Sequence, residues 1–102
     1  MKNIITVMAL AISALLTTGV YAAGDAAAGK TKSASCQACH GLDGKSTNPK
    51  IPSLAGKKYE DLVTALNEYK SGKRKDPMMT MSAKPLTDAD IANLAAYYSS
   101  LK

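Results

Sequence analysis

The chain has 102 residues, of which 46% are hydrophobic and 21% are charged, and its formal net charge is +5. A chain of this length forms one domain at most, and its two cysteines allow no more than one disulfide. The apolar residues are concentrated in the first twenty positions, so the average composition describes two different segments.

The first segment has the pattern of a secretory signal peptide. Lys2 gives a positive start, an apolar stretch runs from Ile4 to Leu16, and small or polar residues follow. A membrane anchor is the alternative, but a span takes about 20 apolar residues and this stretch is shorter. We expect cleavage after Ala22, so that residues 1–22 are removed and residues 23–102 form one periplasmic domain without a membrane span.

Residues 23–102 are moderately basic and poor in large apolar side chains. They carry 12 basic and 8 acidic residues, and their Leu, Ile, Val, Met and Tyr residues number 17. Domains of about 60 to 80 residues bury little surface, so we expect another group to complete this core. Nucleic-acid binding is not expected, because the chain is exported and shows no basic stripe interleaved with aromatic residues.

The first half of this domain predicts two helices and a loop. The first helix extends from an N-cap at Asp25 to about Ser35. Between residues 43 and 56 the density of Gly, Pro, Ser and Asn predicts an irregular loop. The second helix should run from about Lys58 to Lys70, because its Tyr, Leu and Val residues recur every three or four positions.

The second half predicts one further loop and one further helix. Residues 72–86 hold a basic cluster, three Met and two Pro, and are predicted as a loop. Thr87 is the expected N-cap of the last helix, and Asp90 completes an approximate capping box. The predicted buried stripe of this helix is Ile91, Leu94, Ala95, Tyr98 and Leu101. The predicted fold class is therefore all-α, with about three main helices and long loops.

The two cysteines and the single histidine fall together in the sequence Cys36-Gln37-Ala38-Cys39-His40. Two intervening residues set the thiols apart to match the two vinyl groups on one edge of a haem, and the adjacent histidine can bind the iron. We predict that Cys36 and Cys39 form thioethers to one covalent haem c and that His40 is an iron ligand. The macrocycle would also supply the apolar surface that the small core lacks.

Other uses of a CxxC pair are possible in principle. An exported protein could form a single disulfide here, or a thioredoxin-like redox pair with an incidental His40. A thioredoxin-like site needs a βαβ context, which this helical pattern lacks. A zinc site needs a fourth ligand and usually a second Cys or His pair, and the sequence has none. Covalent haem is therefore favoured.

The sixth iron ligand has three candidates in the sequence. The chain has no second histidine, but Met78, Met79 and Met81 lie in the loop bounded by prolines. Thioether sulfur is a known sixth ligand that raises the haem potential. Alternatively, these methionines fill irregular core space. Their position in a loop rather than on a helical stripe favours a ligand among them, and spacing alone does not choose one.

From Gly24 to Lys102 the sequence resembles the small bacterial class I c-type cytochromes, particularly the single-haem units that also occur paired in dihaem cytochromes. The resemblance implies the cytochrome c fold, in which helices and long loops surround one covalent haem. The residues that carry it are Gly24-Asp25, Ala28-Gly29-Lys30, the CxxCH motif with Gly41, Asp43-Gly44, the segments 49–56 and 73–79, Leu86-Thr87-Asp88-Ala89-Asp90-Ile91, and Ala95-Ala96-Tyr97-Tyr98.

The resemblance implies roles for particular residues. The family's axial Met lies eight residues before the cap of the last helix, which corresponds to Met79. Met81 is the second candidate. Only Thr80 separates Met79 from Met81, whereas relatives often have two residues between the corresponding positions. By position, the backbone carbonyl that accepts a hydrogen bond from the ligand histidine belongs to Pro49, with Pro52 as the alternative. Such a bond would fix the orientation of His40 and raise its basicity.

The family's architecture also implies a helix crossing. The first and last helices should cross near Gly29 and Tyr97, where a residue without a side chain lets an aromatic ring approach.

We predict that the protein is a monomeric periplasmic electron carrier and not an enzyme. A low-spin haem with both axial positions filled suits outer-sphere electron transfer, and no candidate acid–base pair stands out. Its expected partners in a respiratory chain are a quinol-oxidising complex and a terminal oxidase or reductase. The alternative is a haem subunit that relays electrons within an oxidoreductase complex. A gas sensor with an open iron site would not need the methionine-rich loop.

Basic residues near the expected site could steer acidic partners and speed their encounter. An ordinary solvated loop is an equally good explanation of the same residues. The cluster consists of Lys57, Lys58, Lys70, Lys73, Arg74 and Lys75.

Overall fold

The computed structural model describes residues 24–102. The predicted signal peptide and its cleavage site after Ala22 lie outside these residues. Within them the chain forms helices and loops and no strand, which confirms the predicted all-α class. The α-helices are α1 (Ala26–Lys32), α2 (Gln37–His40), α3 (Tyr59–Ser71), α4 (Pro77–Ala83) and α5 (Asp88–Ser100).

Helix α1 begins where the sequence predicts but ends earlier. The Asp25 carboxylate accepts hydrogen bonds from the backbone N–H groups of Ala27 at 2.9 Å and Ala28 at 3.3 Å, so it is the N-cap. The α-helix stops at Lys32 and continues as a 3₁₀ turn over Ser33–Ser35. The Ser33 hydroxyl donates to a backbone carbonyl within the last turn of α1, and such local bonds compete with helical pairing.

Helix α3 agrees with its prediction to within one residue at each end. It covers Tyr59–Ser71 and ends at Gly72, whose φ of 82° is in the left-handed region that favours glycine. The loop before it, over residues 43–56, contains turns and bends without a helix or strand, as predicted.

Helix α4 lies within residues 72–86, which the sequence analysis predicted as a loop, and that prediction is wrong for Pro77–Ala83. The Asp76 carboxylate accepts a hydrogen bond from the backbone N–H of Met79 at 3.2 Å, and Pro77 occupies the first turn. An acidic N-cap followed by proline is a helix start signal. The seven residues are too few to show a helical period of apolar side chains.

Helix α5 has the predicted capping box. The Thr87 hydroxyl accepts from the Asp90 backbone N–H at 3.1 Å, and the Asp90 carboxylate accepts from the Thr87 backbone N–H at 3.0 Å. The bond from Thr87 lowers the pKa of Asp90. The predicted stripe is buried except at Leu101, which lies just beyond the helix and is half-buried.

The core is built around α5. Its buried residues come from α3, from the end of α4 and the turn after it, and above all from α5: Leu62, Ala83, Leu86, Ile91, Leu94, Ala95, Tyr97 and Tyr98. The loop over residues 43–56 is tied to this core because the Gly56 N–H donates to the Tyr98 carbonyl at 2.9 Å. Among residues 24–102, no helix has the length and apolar character needed to cross a membrane.

Helices α1 and α5 cross at Gly29, as the resemblance implied. A Cβ atom built on Gly29 would lie 1.9 Å from the backbone oxygen of Asn93 and 2.8 Å from the Cβ of Tyr97. The Asn93 side chain also accepts a hydrogen bond from the Asp25 N–H at 2.8 Å. The two backbones are therefore in direct contact, closer than any side chain at position 29 would allow.

We predict that Gly29→Ala destabilises the folded holoprotein. Helix propensity alone would stabilise α1 by about 1 kcal/mol, whereas the clash with a backbone oxygen should lower the free energy of unfolding by about 3 kcal/mol. Denaturant unfolding measures the difference. Gly72→Ala is the control, because its Cβ would meet open space and should cost about 1 kcal/mol through its positive φ. Equal losses in the two variants would contradict the close crossing.

Candidate cofactor site

A single helical turn brings the two cysteines and the histidine together. The Cys36 carbonyl accepts hydrogen bonds from the backbone N–H of Cys39 at 3.3 Å and of His40 at 3.0 Å. Gly41 ends this turn with a φ of 92°, and a Cβ there would lie 2.1 Å from the Lys45 carbonyl oxygen. The local backbone therefore fixes the directions of the Cys36, Cys39 and His40 side chains.

Cys36 and Cys39 are not joined by a disulfide. Cys36 is half-buried and Cys39 is exposed. Burial raises the pKa of the Cys36 thiol, and the neighbouring Ser35 side chain acts in the opposite direction. The two thiols thus differ in environment, with Cys36 against the core and Cys39 at its edge.

His40 is buried, with 6% of its surface exposed, and its ring is held by a backbone carbonyl. Its Nδ1 lies 2.7 Å from the Pro52 oxygen. A carbonyl oxygen can only accept, so Nδ1 carries the hydrogen. Nε2 then keeps the lone pair that a metal requires. The tautomer suited to metal binding therefore follows from the fold.

The carbonyl that reaches His40 belongs to Pro52 and not to Pro49, which corrects the first choice of the sequence analysis. The Ile51 N–H donates to the Asn48 carbonyl at 3.0 Å, so residues 48–51 form a turn. Pro49 occupies the second position of that turn, where proline is favoured, and is exposed. The turn directs the chain so that the carbonyl of Pro52 meets the imidazole.

The motif opens into a cavity of about 640 Å³. Its walls are mainly apolar, and they combine the motif, the loop after it, one face of α3, the start of α4 and the inner face of α5. The lining includes Cys36, Cys39, His40, Ile51, Pro52, Leu54, Leu62, Leu66, Tyr69, Met78, Met79, Leu94, Ala95 and Tyr98. Two thiols, a metal-competent imidazole and a thioether in one apolar cavity match the groups that a covalent haem c requires.

The three methionines differ in position. Met79 is half-buried and lines the cavity. Met78 also lines it but is 72% exposed, and Met81 is 76% exposed and is not part of the wall. Helix α4 produces this difference, because Met78, Met79 and Ser82 line the cavity, whereas Met81 is exposed and is not part of its wall. The geometry favours Met79 over Met81 as a ligand.

The basic cluster is partly neutralised. The Arg74 guanidinium lies 2.7 Å from one Glu68 oxygen, and the Lys73 ammonium lies 3.7 Å from the other. The hydrogen bond from Arg74 lowers the pKa of Glu68. Arg74 also stands over the ring of Tyr69, 5.3 Å from its centroid. The ammonium of Lys70 donates to the carbonyl of Leu86. The surface around the cavity is therefore less positive than the sequence count suggested.

The sequence analysis did not identify the hydroxyl of Tyr98 as part of the site. It placed Tyr98 in the buried stripe of α5, and the structure confirms that position. The periodicity gives no sign that the same side chain lines the cavity beside Cys36.

A family model described as cytochrome c matches residues 26–102. Among curated proteins, the chain is 46% identical over 97 residues to cytochrome c4 of Pseudomonas aeruginosa, covering 91% of this chain and 48% of the relative. It is 41% identical over 73 residues to the cytochrome subunit of sulfide dehydrogenase of Chlorobaculum tepidum, covering 72% of this chain and 66% of that protein. The chain spans about half the length of the cytochromes c4 it matches.

The fold also matches a solved structure. The crystal structure of reduced recombinant cytochrome c4 from Pseudomonas stutzeri superposes with a TM-score of 0.75 at 44% sequence identity. The match covers 78% of this chain and 47% of that chain.

We predict that Asp76→Ala loosens the segment that carries Met79. The substitution removes the carboxylate that caps α4 and should lower the free energy of unfolding by about 1 kcal/mol. The backbone amide of Met79 should then exchange its hydrogen faster. Denaturant unfolding and hydrogen exchange of the holoprotein measure both effects. Asp88→Ala is the control, since Asp88 follows the N-cap of α5 and should cost less than about 0.5 kcal/mol. Unchanged exchange at Met79 would contradict the prediction.

Proposed function

This chain belongs to the cytochrome c family, and we propose that it is a periplasmic electron carrier in which Cys36 and Cys39 hold the haem, and His40 and Met79 are its axial ligands. Family membership establishes covalent haem c, iron binding and electron transport. The observation that carries the assignment of ligands is that His40, with its Nδ1 bonded to Pro52, shares one apolar cavity with Met79.

A bound haem would supply one-electron chemistry between the ferric and ferrous states of its iron. The chain's own contribution is to hold the ligands still and to keep water away. The hydrogen bond to Pro52 fixes the His40 ring and increases the basicity of its other nitrogen. The apolar walls from α3 and α5 disfavour the additional positive charge of the ferric state, because a low dielectric penalises charge.

Filling both axial positions suits electron transfer better than substrate chemistry. A ligand set of imidazole and thioether changes little between oxidation states and leaves no position for a substrate. Met79 lies on a helix that is capped by Asp76, so its position depends on a defined hydrogen bond rather than on a free loop. We therefore propose a carrier and not an enzyme.

The proposed location is supported by the sequence, and the proposed partners are those that the role of a periplasmic electron carrier requires. The pattern of residues 1–22 supports export to the periplasm. We propose that the monomer accepts electrons from a quinol-oxidising complex and delivers them to a terminal oxidase or reductase.

A second candidate is a haem subunit that relays electrons inside an oxidoreductase. The relative from Chlorobaculum tepidum is named as the cytochrome subunit of sulfide dehydrogenase, which favours this alternative. Purification from the native host separates the two proposals. A carrier elutes as a monomer, whereas a subunit elutes with its partner at constant stoichiometry.

We expect Met79→Ala, and not Met81→Ala, to remove the sixth ligand. The half-buried Met79 lines the cavity, while Met81 is exposed. Loss of thioether ligation lowers the reduction potential, so Met79→Ala should shift an equilibrium redox titration to lower potential and abolish the sulfur-to-iron charge-transfer band. Met81→Ala should leave both unchanged. Retention of the band in Met79→Ala, or its loss in Met81→Ala, would show that the assignment is wrong.

We also predict that Lys57 and Lys58 contribute to partner encounter. Both line the cavity, and they lie outside the ion pairs formed by Glu68. Changing both to Gln should slow electron transfer to an acidic partner about threefold at low salt, and the difference should disappear as salt screens the charges. Stopped-flow measurements over a range of ionic strength test this. Lys84→Gln is the control, and an equal effect from it would refute a localised surface.

A further inference from the structure

The ring of Tyr98 is held between α5 and the loop over residues 43–56. Only 3% of the residue is exposed. Its ring centroid lies 5.0 Å from that of Tyr97 at an angle of 55°. On another side, a Cβ built on Gly44 would lie 3.0 Å from the ring, so the loop backbone packs directly against it. The Tyr98 carbonyl accepts a hydrogen bond from the Gly56 N–H, which ties the loop over residues 43–56 to the same point of α5.

The hydroxyl of this fixed ring has no hydrogen-bond partner within residues 24–102. A buried polar group without a partner is destabilising, and phenylalanine would fill the same space without that cost. Tyr98 also lines the cavity that contains the cysteine motif. The orphaned hydroxyl therefore indicates that a partner is supplied when the cavity holds its cofactor.

Two polar side chains lie beside this hydroxyl. Cys36 lines the same cavity as Tyr98 and packs against the core cluster that contains it, and Ser33 is fully buried. Burial raises the pKa of Tyr98 strongly. The Ser33 hydroxyl is already engaged, because it donates to the Lys30 carbonyl at 2.6 Å and accepts from the Gln37 amide at 3.4 Å. Cys36 is the neighbour whose chemistry changes on haem attachment. A thioether sulfur has no hydrogen and can only accept, which suits a phenol that must donate.

We infer that Tyr98 is a positioning residue whose hydroxyl donates a hydrogen bond to the sulfur of Cys36 in the haem-bound protein. The inference rests on the proposed function, because it requires Cys36 to be a haem attachment point. The bond satisfies the buried hydroxyl and fixes one edge of the macrocycle. It also directs the positive end of the O–H dipole toward the cofactor, which disfavours the ferric state and raises the reduction potential.

Tyr98→Phe tests this inference in the purified holoprotein. At a fixed solution potential near the midpoint, the ratio of reduced to oxidised protein should fall about threefold, equivalent to about 28 mV for a one-electron couple. In resonance Raman spectra, the carbon–sulfur modes of the wild-type protein should shift in deuterated water, and those of Tyr98→Phe should not. The variant should also melt at a lower temperature, because a satisfied hydrogen bond is lost.

Two control variants separate this bond from general packing. Tyr97→Phe removes a hydroxyl from the adjacent residue, which is buried at the helix crossing and is not part of the cavity wall. Ser33→Ala removes the other polar neighbour of Tyr98. Both should keep the wild-type potential and the deuterium shift of the carbon–sulfur modes.

Several results would overturn the inference. One is an unchanged potential in Tyr98→Phe, and another is a rise in its melting temperature, which would mean that the hydroxyl is unpaired in the holoprotein. If Ser33→Ala showed the same changes in spectrum and potential as Tyr98→Phe, the hydrogen-bond acceptor of the Tyr98 hydroxyl would be Ser33 and not Cys36. Failure of the proposed function is distinguishable, because the wild-type protein would then show no thioether-linked haem at Cys36 in a tryptic digest analysed by mass spectrometry.

Discussion

The described part of the chain is arranged around a space that its own side chains do not fill. The cavity of about 640 Å³ lies between the cysteine motif, the loop after it, α3, α4 and α5. Residues 23–102 have few large apolar side chains, so they cannot fill this space themselves. The proposed covalent attachment would solve this problem, because a cofactor held by Cys36 and Cys39 would become part of the core and would stay attached on partial unfolding.

The hydrogen bond between His40 and Pro52 connects this core to the loop that the sequence marks as irregular. Residues 43–56 form no helix or strand, yet their backbone fixes the imidazole and is itself tied to α5 through Gly56. The loop therefore has a defined structural function. Its turns determine which nitrogen of His40 carries the hydrogen and which is left for a metal.

Local signals in the sequence were sufficient for much of the fold. The N-caps at Asp25 and Thr87 depend on residues within three positions of the cap. The buried stripe of α5 repeats with the helical period. The caps and the stripe could therefore be predicted from the sequence. The CxxCH motif likewise contains its whole chemistry in five residues. Helix α4 is too short to show a helical period of apolar residues, although the Asp76-Pro77 pair indicates where it begins.

The features that the sequence did not predict depend on how distant segments meet. The choice of Pro52 over Pro49 follows from a turn that sets the direction of the chain. The pairing of Glu68 with Arg74 joins a helix to the loop beyond it, so a count of charges overstated the positive surface. The orphaned hydroxyl of Tyr98 arises where α5, the cysteine motif and the loop over residues 43–56 meet, which no single stretch of sequence shows.

The central claim is that the cofactor completes the core and has both axial positions filled by the chain. Carbon monoxide binds ferrous haem at an open position, so its addition to the dithionite-reduced holoprotein at neutral pH tests the claim directly. With His40 and Met79 as ligands, the absorption spectrum should stay that of a six-coordinate low-spin haem c. Immediate formation of a stoichiometric carbon monoxide adduct in the native protein would contradict it.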